Sequence, residues 1–492
     1  MAQEHFDIII IGAGLSGIDA AYHLQTRCRG KSYIILESRD AIGGTWDLFR
    51  YPGIRSDSDM FTFGYPFRPW VSNAAIADGD SIRTYLCETA EFYGINRRIR
   101  FRHRVKGASW SSAAALWSVD VEQDAGREPM RFTCNFLFCC TGYYDYARGY
   151  APEFPGIEKF AGRVVHPQQW PERLDYAGKR VVVIGSGATA VTIIPILAEK
   201  AALVTMLQRS PTYIVARPTQ DALAKMLRRW LPTRAAFALT RWYYVLFGIY
   251  LYNLCRRKPA AVKNWIVGQA QAQLGPDYDV KTHFTPRYNP WDQRLCLAPD
   301  ADFFRAIKAG RVDVVTDRIA RFTESGIRLQ SDRELAADVV VTATGLNVLL
   351  FGAIQFAVDG KPVKFSDTTN FKGVMFSDTP NLFAAIGYTN ASWTLKCDLT
   401  CAYVARLISY MDRHGYVACT PRLRDGSVKP EPLIGLASGY IQRAIDQLPR
   451  QGSKKPWKLY QNYVRDLISL RFGAVDDKAL EFKRLAANAK AA

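Results

Sequence analysis

DIIIIGAGLSG, Asp7 to Gly17, decides the fold. Four isoleucines run directly into a glycine turn and then into an apolar-periodic segment. An unbroken β-branched run reads as a strand buried on both faces of a parallel sheet. Gly12 permits the tight turn, Gly14 lets a pyrophosphate approach the backbone, and Gly17 lets the next helix pack against the strand. Ser16 shares that turn, where helix N–H groups face phosphate. Glycines alone are weak evidence, because turns need them everywhere. The reading is strengthened by Glu37, twenty residues past Gly17, at the end of a second apolar run, Tyr33–Leu36. A carboxylate there accepts hydrogen bonds from ribose hydroxyls and repels a 2′-phosphate, so this unit selects FAD or NAD over NADP.

The pattern returns once. Arg180–Ile184 leads into GSGATA, in which Gly185, Ser186, Gly187, Ala188, Thr189 and Ala190 repeat the turn, and Leu203–Leu207 follows as the second strand. Nineteen residues after Ala190 stands Arg209, flanked by Gln208 and Ser210. Where the first unit carries an acid, the second carries a base, suited to charge-assisted hydrogen bonds to a 2′-phosphate. One site refuses that phosphate and the other requests it, which points to FAD in the first and NADPH in the second. The fold class is α/β, with two Rossmann-like dinucleotide-binding domains and a helical insertion in the NADP domain.

Between the units, Trp117–Glu122 and Arg131–Cys140 suit strands, the latter ending in CTGYY. From Pro218 to about Pro290 the chain turns helical, aromatic and basic. Strand-like Arg311–Thr316, Gly326–Gln330 and Asp338–Thr342 follow, then Asn381–Gly387 and further helices. The expected organisation is an FAD-binding domain from 1–146 and 347–492, a linker over 147–171, an NADP-binding domain from 172–217 and 291–346, and an insertion over 218–290.

Composition bounds the rest. The chain has 492 residues, 48% hydrophobic and 22% charged, with a net charge of +18, so it is globular and attracted to anions. No basic tract is joined to a nucleic-acid motif, so nucleic acid is excluded as a partner. None of the ten cysteines forms CxxC, which excludes a disulfide reductase and fits reduced cytoplasmic thiols. No histidine pair has metal-ligand spacing, so no metal is expected. The start lacks the pattern of a signal peptide. Trp242–Cys255 (WYYVLFGIYLYNLC) has no charge and basic flanks across 241–258, but is too short to span a bilayer. It reads as a buried helix of the insertion or as a peripheral helix on a membrane surface.

Two stretches carry a resemblance. Phe160, Gly162, His166, Trp170 and Pro171 fit FxGxxxHxxxWP, and Gly43 to Asp57, GGTWDLFRYPGIRSD, fits [A/G]GxWxxxx[F/Y]P[G/M]xxxD. Together with the two flanking glycine turns, the chain resembles the type I Baeyer–Villiger flavin monooxygenases. That likeness implies an NADPH- and O2-dependent enzyme converting ketones to esters or lactones through a C4a-peroxyflavin, with sulfides or thioamides as further substrates. The alternative is a flavin N- or S-monooxygenase without carbonyl insertion. The resemblance implies Arg294 as the catalytic cation, with Asp57 orienting it. It implies cofactor contacts at Gly44, Thr45, Trp46, Asp47, Leu48 and Val105, and contacts to NADP at Arg55 and Ser56. It makes FxGxxxHxxxWP a hinge between cofactor domains, and Gly387–Leu395 a turn beneath the flavin. Two positions depart from the family: Gln293 replaces a lysine, and Tyr440 stands near where relatives place a tryptophan. Oligomeric state is not legible.

Overall fold

The computed structural model describes residues 4–123 and 129–484. Glu4–Ile11 lies inside a nine-stranded sheet, parallel to Tyr33–Leu36 on one side and Met130–Cys139 on the other. Its isoleucines alternate between two cores. Ile8 and Ile10 enter the core under the helices Leu15–Arg27 and Trp393–His414, while Ile9 and Ile11 enter the opposite core, built largely by an antiparallel meander. Each is at most 6% exposed, and full burial of such a side chain contributes about 1.5–3 kcal/mol. The meander is His103–Ser111, Leu116–Gln123 and Met130–Cys139. Leu382–Ala384, from the far end of the chain, pairs in parallel with Met130–Cys139.

The second sheet has five parallel strands in the order Val312–Thr316, Leu203–Gln208, Arg180–Ile184, Val339–Thr342, Arg163–Val165. Val181 and Val183 face one core and Val182 and Ile184 the other. The edge strand is a difference from the sequence reading, which made 147–171 a linker. Arg163–Val165 pairs with Val339–Val341, so the middle of FxGxxxHxxxWP is part of the second sheet. The two crossings between the sheets, around 143–150 and 344–349, run side by side. Tyr150 N–H donates to Gly345 O at 3.0 Å, and Asp145 N–H to Asn347 O at 2.9 Å. His166 plugs against this pair of crossings: a side chain at Gly149 would overlap its ring at 1.9 Å.

Residues 222–283 form helices Ala222–Trp230, Thr233–Arg257, Pro259–Leu274 and Val280–His283. The uncharged run at Trp242–Cys255 is the later part of a 25-residue helix. Arg241, expected as a basic flank, points inward and donates to the carbonyls of Phe61 and Gly64 at 2.8 and 2.7 Å. Among the described residues no helix is long and apolar enough to cross a membrane.

Candidate active site

The first glycine turn is shaped by close approach. Gly12 has φ +105°, and a side chain there would meet Cys140 O at 2.7 Å. At Gly17 it would meet Gly12 O at 1.9 Å, so only glycine lets Leu15–Arg27 sit this near its strand. Gly14 faces a second glycine turn, with Gly44 Cα 3.6 Å from the position its Cβ would take. Glu37 is fixed at the end of its strand: Oε2 accepts Ala13 N–H at 2.7 Å, and Oε1 accepts Arg39 N–H at 2.8 Å. Val105 is buried two residues beyond His103, whose N–H donates to Glu37 O at 2.8 Å. Ser16 does not face outward; its hydroxyl donates to Cys397 Sγ and accepts from Trp393 Nε1, both at 3.3 Å.

The second turn is open. Gly185 has φ +131°, and a side chain there would strike Ala343 O at 2.3 Å, whereas nothing lies within 4 Å of a side chain at Gly187. Gly187 and Ala188 are exposed at the N-terminus of helix Ala188–Leu197, and Ala190 is fully buried beneath them. Ser186 Oγ donates to Ser210 O at 3.1 Å, tying the turn to the loop that bears Arg209. Arg209 is exposed and makes no ion pair among the described residues. Gln208 departs from expectation. Its amide is turned inward, donating to His283 O at 2.8 Å and Thr316 Oγ1 at 2.9 Å. Its side chain is therefore spent on the second domain's own packing.

GGTWDLFRYPGIRSD bridges the two units. Trp46 packs edge-on against Phe63 in the first core, while Leu48, Phe49, Tyr51 and Ile54 pack into the second. Gly53, at φ +76°, would place a side chain 2.7 Å from Ile196 Cγ1 and 3.0 Å from Thr192 O, so the loop lies directly on helix Ala188–Leu197. Tyr51 reaches Thr189 at that helix's start, and burial pushes its hydroxyl up. Thr45 Oγ1 lies 3.3 Å from Tyr146 Oη. The carboxylate of Asp47, 3% exposed, is held by Arg39 at 2.6 Å and by Arg50. Arg55 and Ser56 were expected to touch NADP, and their side chains are otherwise engaged. Arg55 forms an ion pair with Asp302 at 2.6 Å, which makes it a tie between domains. Ser56 Oγ accepts Ser58 N–H at 3.0 Å and donates to Ser58 O at 2.9 Å, a local turn.

Arg294 is half-buried and makes no hydrogen bond or ion pair among the described residues. Burial works against its charge, yet Tyr143, Asp57, Tyr440 and Tyr144 face it and hold the guanidinium above its ordinary value. Burial pushes the Asp57 carboxyl up, with Arg294 and then Arg55 opposing that shift. Asp57 thus acts on Arg294 through space, with no direct ion pair between them. Tyr143 Oη is 2.9 Å from Tyr144 Oη. Tyr143 and Tyr440 also line an apolar cavity with Ile386, Tyr388, Trp393 and Leu433. Trp393 opens the helix Trp393–His414 and stacks on Tyr143 at 5.0 Å. Sequence reasoning quoted CTGYY as a strand end and assigned Tyr143 and Tyr144 no role. The signal was there: two adjacent aromatics at the carboxyl end of a parallel strand, where α/β sheets bind ligands.

Residues 6–352 match the flavin-binding monooxygenase-like family. The chain is 52% identical over 482 residues to the FAD-containing monooxygenase EthA of Mycobacterium tuberculosis, covering 98% of each. It is 47% identical over 495 residues to the putative FAD-containing monooxygenase MymA of the same organism, covering 100% of each. Its fold matches oxidised steroid monooxygenase bound to NADP (TM-score 0.76, 20% identity, 97% and 99% coverage) and OTEMO in complex with FAD and NADP (TM-score 0.76, 21% identity, 98% and 100% coverage).

Proposed function

Because the chain belongs to the flavin-binding monooxygenase-like family, we propose that it is an FAD- and NADPH-dependent Baeyer–Villiger monooxygenase. It inserts one oxygen atom of O2 beside a ketone carbonyl to give an ester or lactone, and oxidises sulfides or thioamides in the same cavity. Its partners are these small molecules. Ten free thiols and the need for NADPH fit a cytoplasmic enzyme. We assign the sheet containing Glu4–Ile11 to FAD and the five-stranded sheet to NADP.

The single observation that carries this reading is Arg294: a half-buried guanidinium without a bonded partner, facing aromatic hydroxyls where the apolar cavity meets the second unit. The residues present fit both cofactors. Gly12, Gly14, Gly17 and Glu37 form an acid-marked cradle, and the open turn at Gly187 with the free Arg209 forms a base-marked one. When bound, the flavin supplies oxygen activation and the nicotinamide supplies hydride. The chain supplies placement and charge. Arg294 cannot lose its proton at any working pH, so it offers fixed positive charge to negative charge developing on the substrate oxygen. Asp57 orients that charge without neutralising it by contact. Tyr143, Tyr388, Trp393 and Leu433 exclude water and present an apolar wall to the ketone.

The test is a panel of linear, cyclic and aryl ketones and sulfides with NADPH or NADH. Ester formed one-to-one with NADPH consumed supports carbonyl insertion. Sulfoxide with no ester from any ketone favours the N- or S-monooxygenase reading, and hydrogen peroxide alone rejects both.

A further inference from the structure

Between Asp221 and Asp277 the sequence contains no acidic residue, against nine lysines and arginines. The helices of this stretch expose aromatic and aliphatic side chains. Along Thr233–Arg257 the outward positions are Leu239, Trp242, Tyr243, Leu246, Phe247 and Tyr250, at 52, 40, 48, 56, 37 and 62% exposure. Their spacing of three and one, repeated, is a single stripe along one helical face. The neighbouring helices also expose tryptophans, Trp230 at 83% and Trp265 at 54%. Lys225, Arg229, Arg234, Arg257 and Lys258 are exposed and make no ion pair among the described residues. The opposite face of the same helix is buried: Val245 and Ile249 pack against Tyr388 and Leu395, and Tyr388 lines the cavity.

We propose that this face is a docking surface for an anionic lipid bilayer, on which the helix lies in the interfacial plane. A stripe of tryptophan, tyrosine, leucine and phenylalanine on an acid-free stretch that also exposes unpaired basic residues matches what the headgroup boundary favours. Basic residues bind the negative surface potential and aromatic side chains enter the acyl boundary. A second copy of the chain is a poor occupant, because pairing this face with itself brings two acid-free basic surfaces together. Docking places the membrane on one side of a helix whose other side packs against a wall of the cavity. That last relation rests on the catalytic reading; the docking itself does not.

The test is co-sedimentation of the purified holoenzyme with vesicles of phosphatidylcholine, or of phosphatidylcholine mixed with phosphatidylglycerol. Binding to the anionic vesicles should be at least about tenfold tighter and should weaken steeply with salt. Intrinsic tryptophan emission should shift to the blue on binding. The triple variant Trp242→Ser/Leu246→Ser/Phe247→Ser should lose binding while retaining its flavin absorbance and its turnover of a soluble substrate. Arg257→Glu/Lys258→Glu lies on the exposed rim where the helix that carries the stripe ends, should also lose binding, and carries the test if the first variant folds poorly. The proposal is overturned if the wild type leaves both vesicle types in the supernatant. It is equally overturned if the rim variant binds as the wild type does, or if the exposed stripe instead governs a monomer–dimer equilibrium while vesicle binding is absent. Because the readout is sedimentation, failure here leaves the catalytic reading intact, and an inactive enzyme that docks leaves the docking intact.

Discussion

At the scale of the residue, charge and close approach account for the candidate site. Among the described residues Arg294 has no bonded partner, so its charge is available to a substrate. Arg294→Ala should lower ketone turnover by about 10²–10³, the cost of about 2.7–4 kcal/mol for one preorganised charge partner. Reduction of the flavin by NADPH should survive, and stopped-flow absorbance separates the two. Arg209→Ala should reduce kcat/KM for NADPH about 10–100-fold, since a charged hydrogen bond contributes about 1.5–3 kcal/mol, and leave NADH unchanged. Steady-state kinetics with both nucleotides measures this directly. The placement of the glycines at the turns, and of Glu37 and Arg209 just beyond the second strands, was legible because it is set within one strand–turn–helix unit. Arg55 was not. Its ion pair is with Asp302, 247 residues away, and no local pattern distinguishes a tie between domains from a free arginine. The hydroxyl of Ser16 is likewise held at long range in sequence, by Cys397 and Trp393, which no local pattern shows.

At the scale of the element, most strands that fill two cores were read within one residue, because burial on both faces writes an unbroken apolar run, while Glu4–Ile11 begins three residues before and Leu382–Ala384 ends three residues before the bounds read from the sequence. His103–Ser111 escaped notice: its exposed positions are Arg104, Lys106, Ser109 and Ser111, and the alternation breaks at Gly107. Arg163–Val165 escaped because a three-residue edge strand has too little pattern to read. The loop at Gly53 yields a prediction. A methyl there meets Ile196 and Thr192 O at an already positive φ, so Gly53→Ala should cost about 1–3 kcal/mol. Thermal denaturation should show it as a lower Tm. The hinge segment yields another. Burial pushes His166 below its ordinary value, against backbone carbonyls at Gly345 and Tyr150 that favour the proton. The folded chain therefore binds that proton less readily than the unfolded chain, and stability rises with pH across the interval between the two values. His166's contribution is complete above about pH 6.5 and is lost as pH falls through the lowered value. Melting curves from neutral to about pH 5 should slope downward on the acid side. His166→Gln should flatten that slope in part, because burial pushes His283 down as well.

At the scale of the whole molecule, a mixed sheet and a parallel sheet are tied together by the motif loop, a pair of chain crossings, the Arg55–Asp302 ion pair and the insertion helix that bears Arg241. The doubled glycine pattern made the two-sheet plan readable from the sequence. The way the GGTW loop crosses from one core to the other was not readable, because it depends on helix Ala188–Leu197 arriving from the second unit. Arg55→Ala should loosen that junction, raising KM for NADPH while the isolated flavin spectrum stays unchanged. On the function proposed above, the two cofactor sites meet at the Arg294 guanidinium, so that reduction of one cofactor ends in oxygen insertion into a substrate. The most direct measurement is the ratio of ester formed to NADPH consumed, for the wild type and Arg294→Ala with the same ketone. The expected outcome is a ratio near one for the wild type, and NADPH consumption with hydrogen peroxide and almost no ester for the variant. Equal ester yields from both would contradict it.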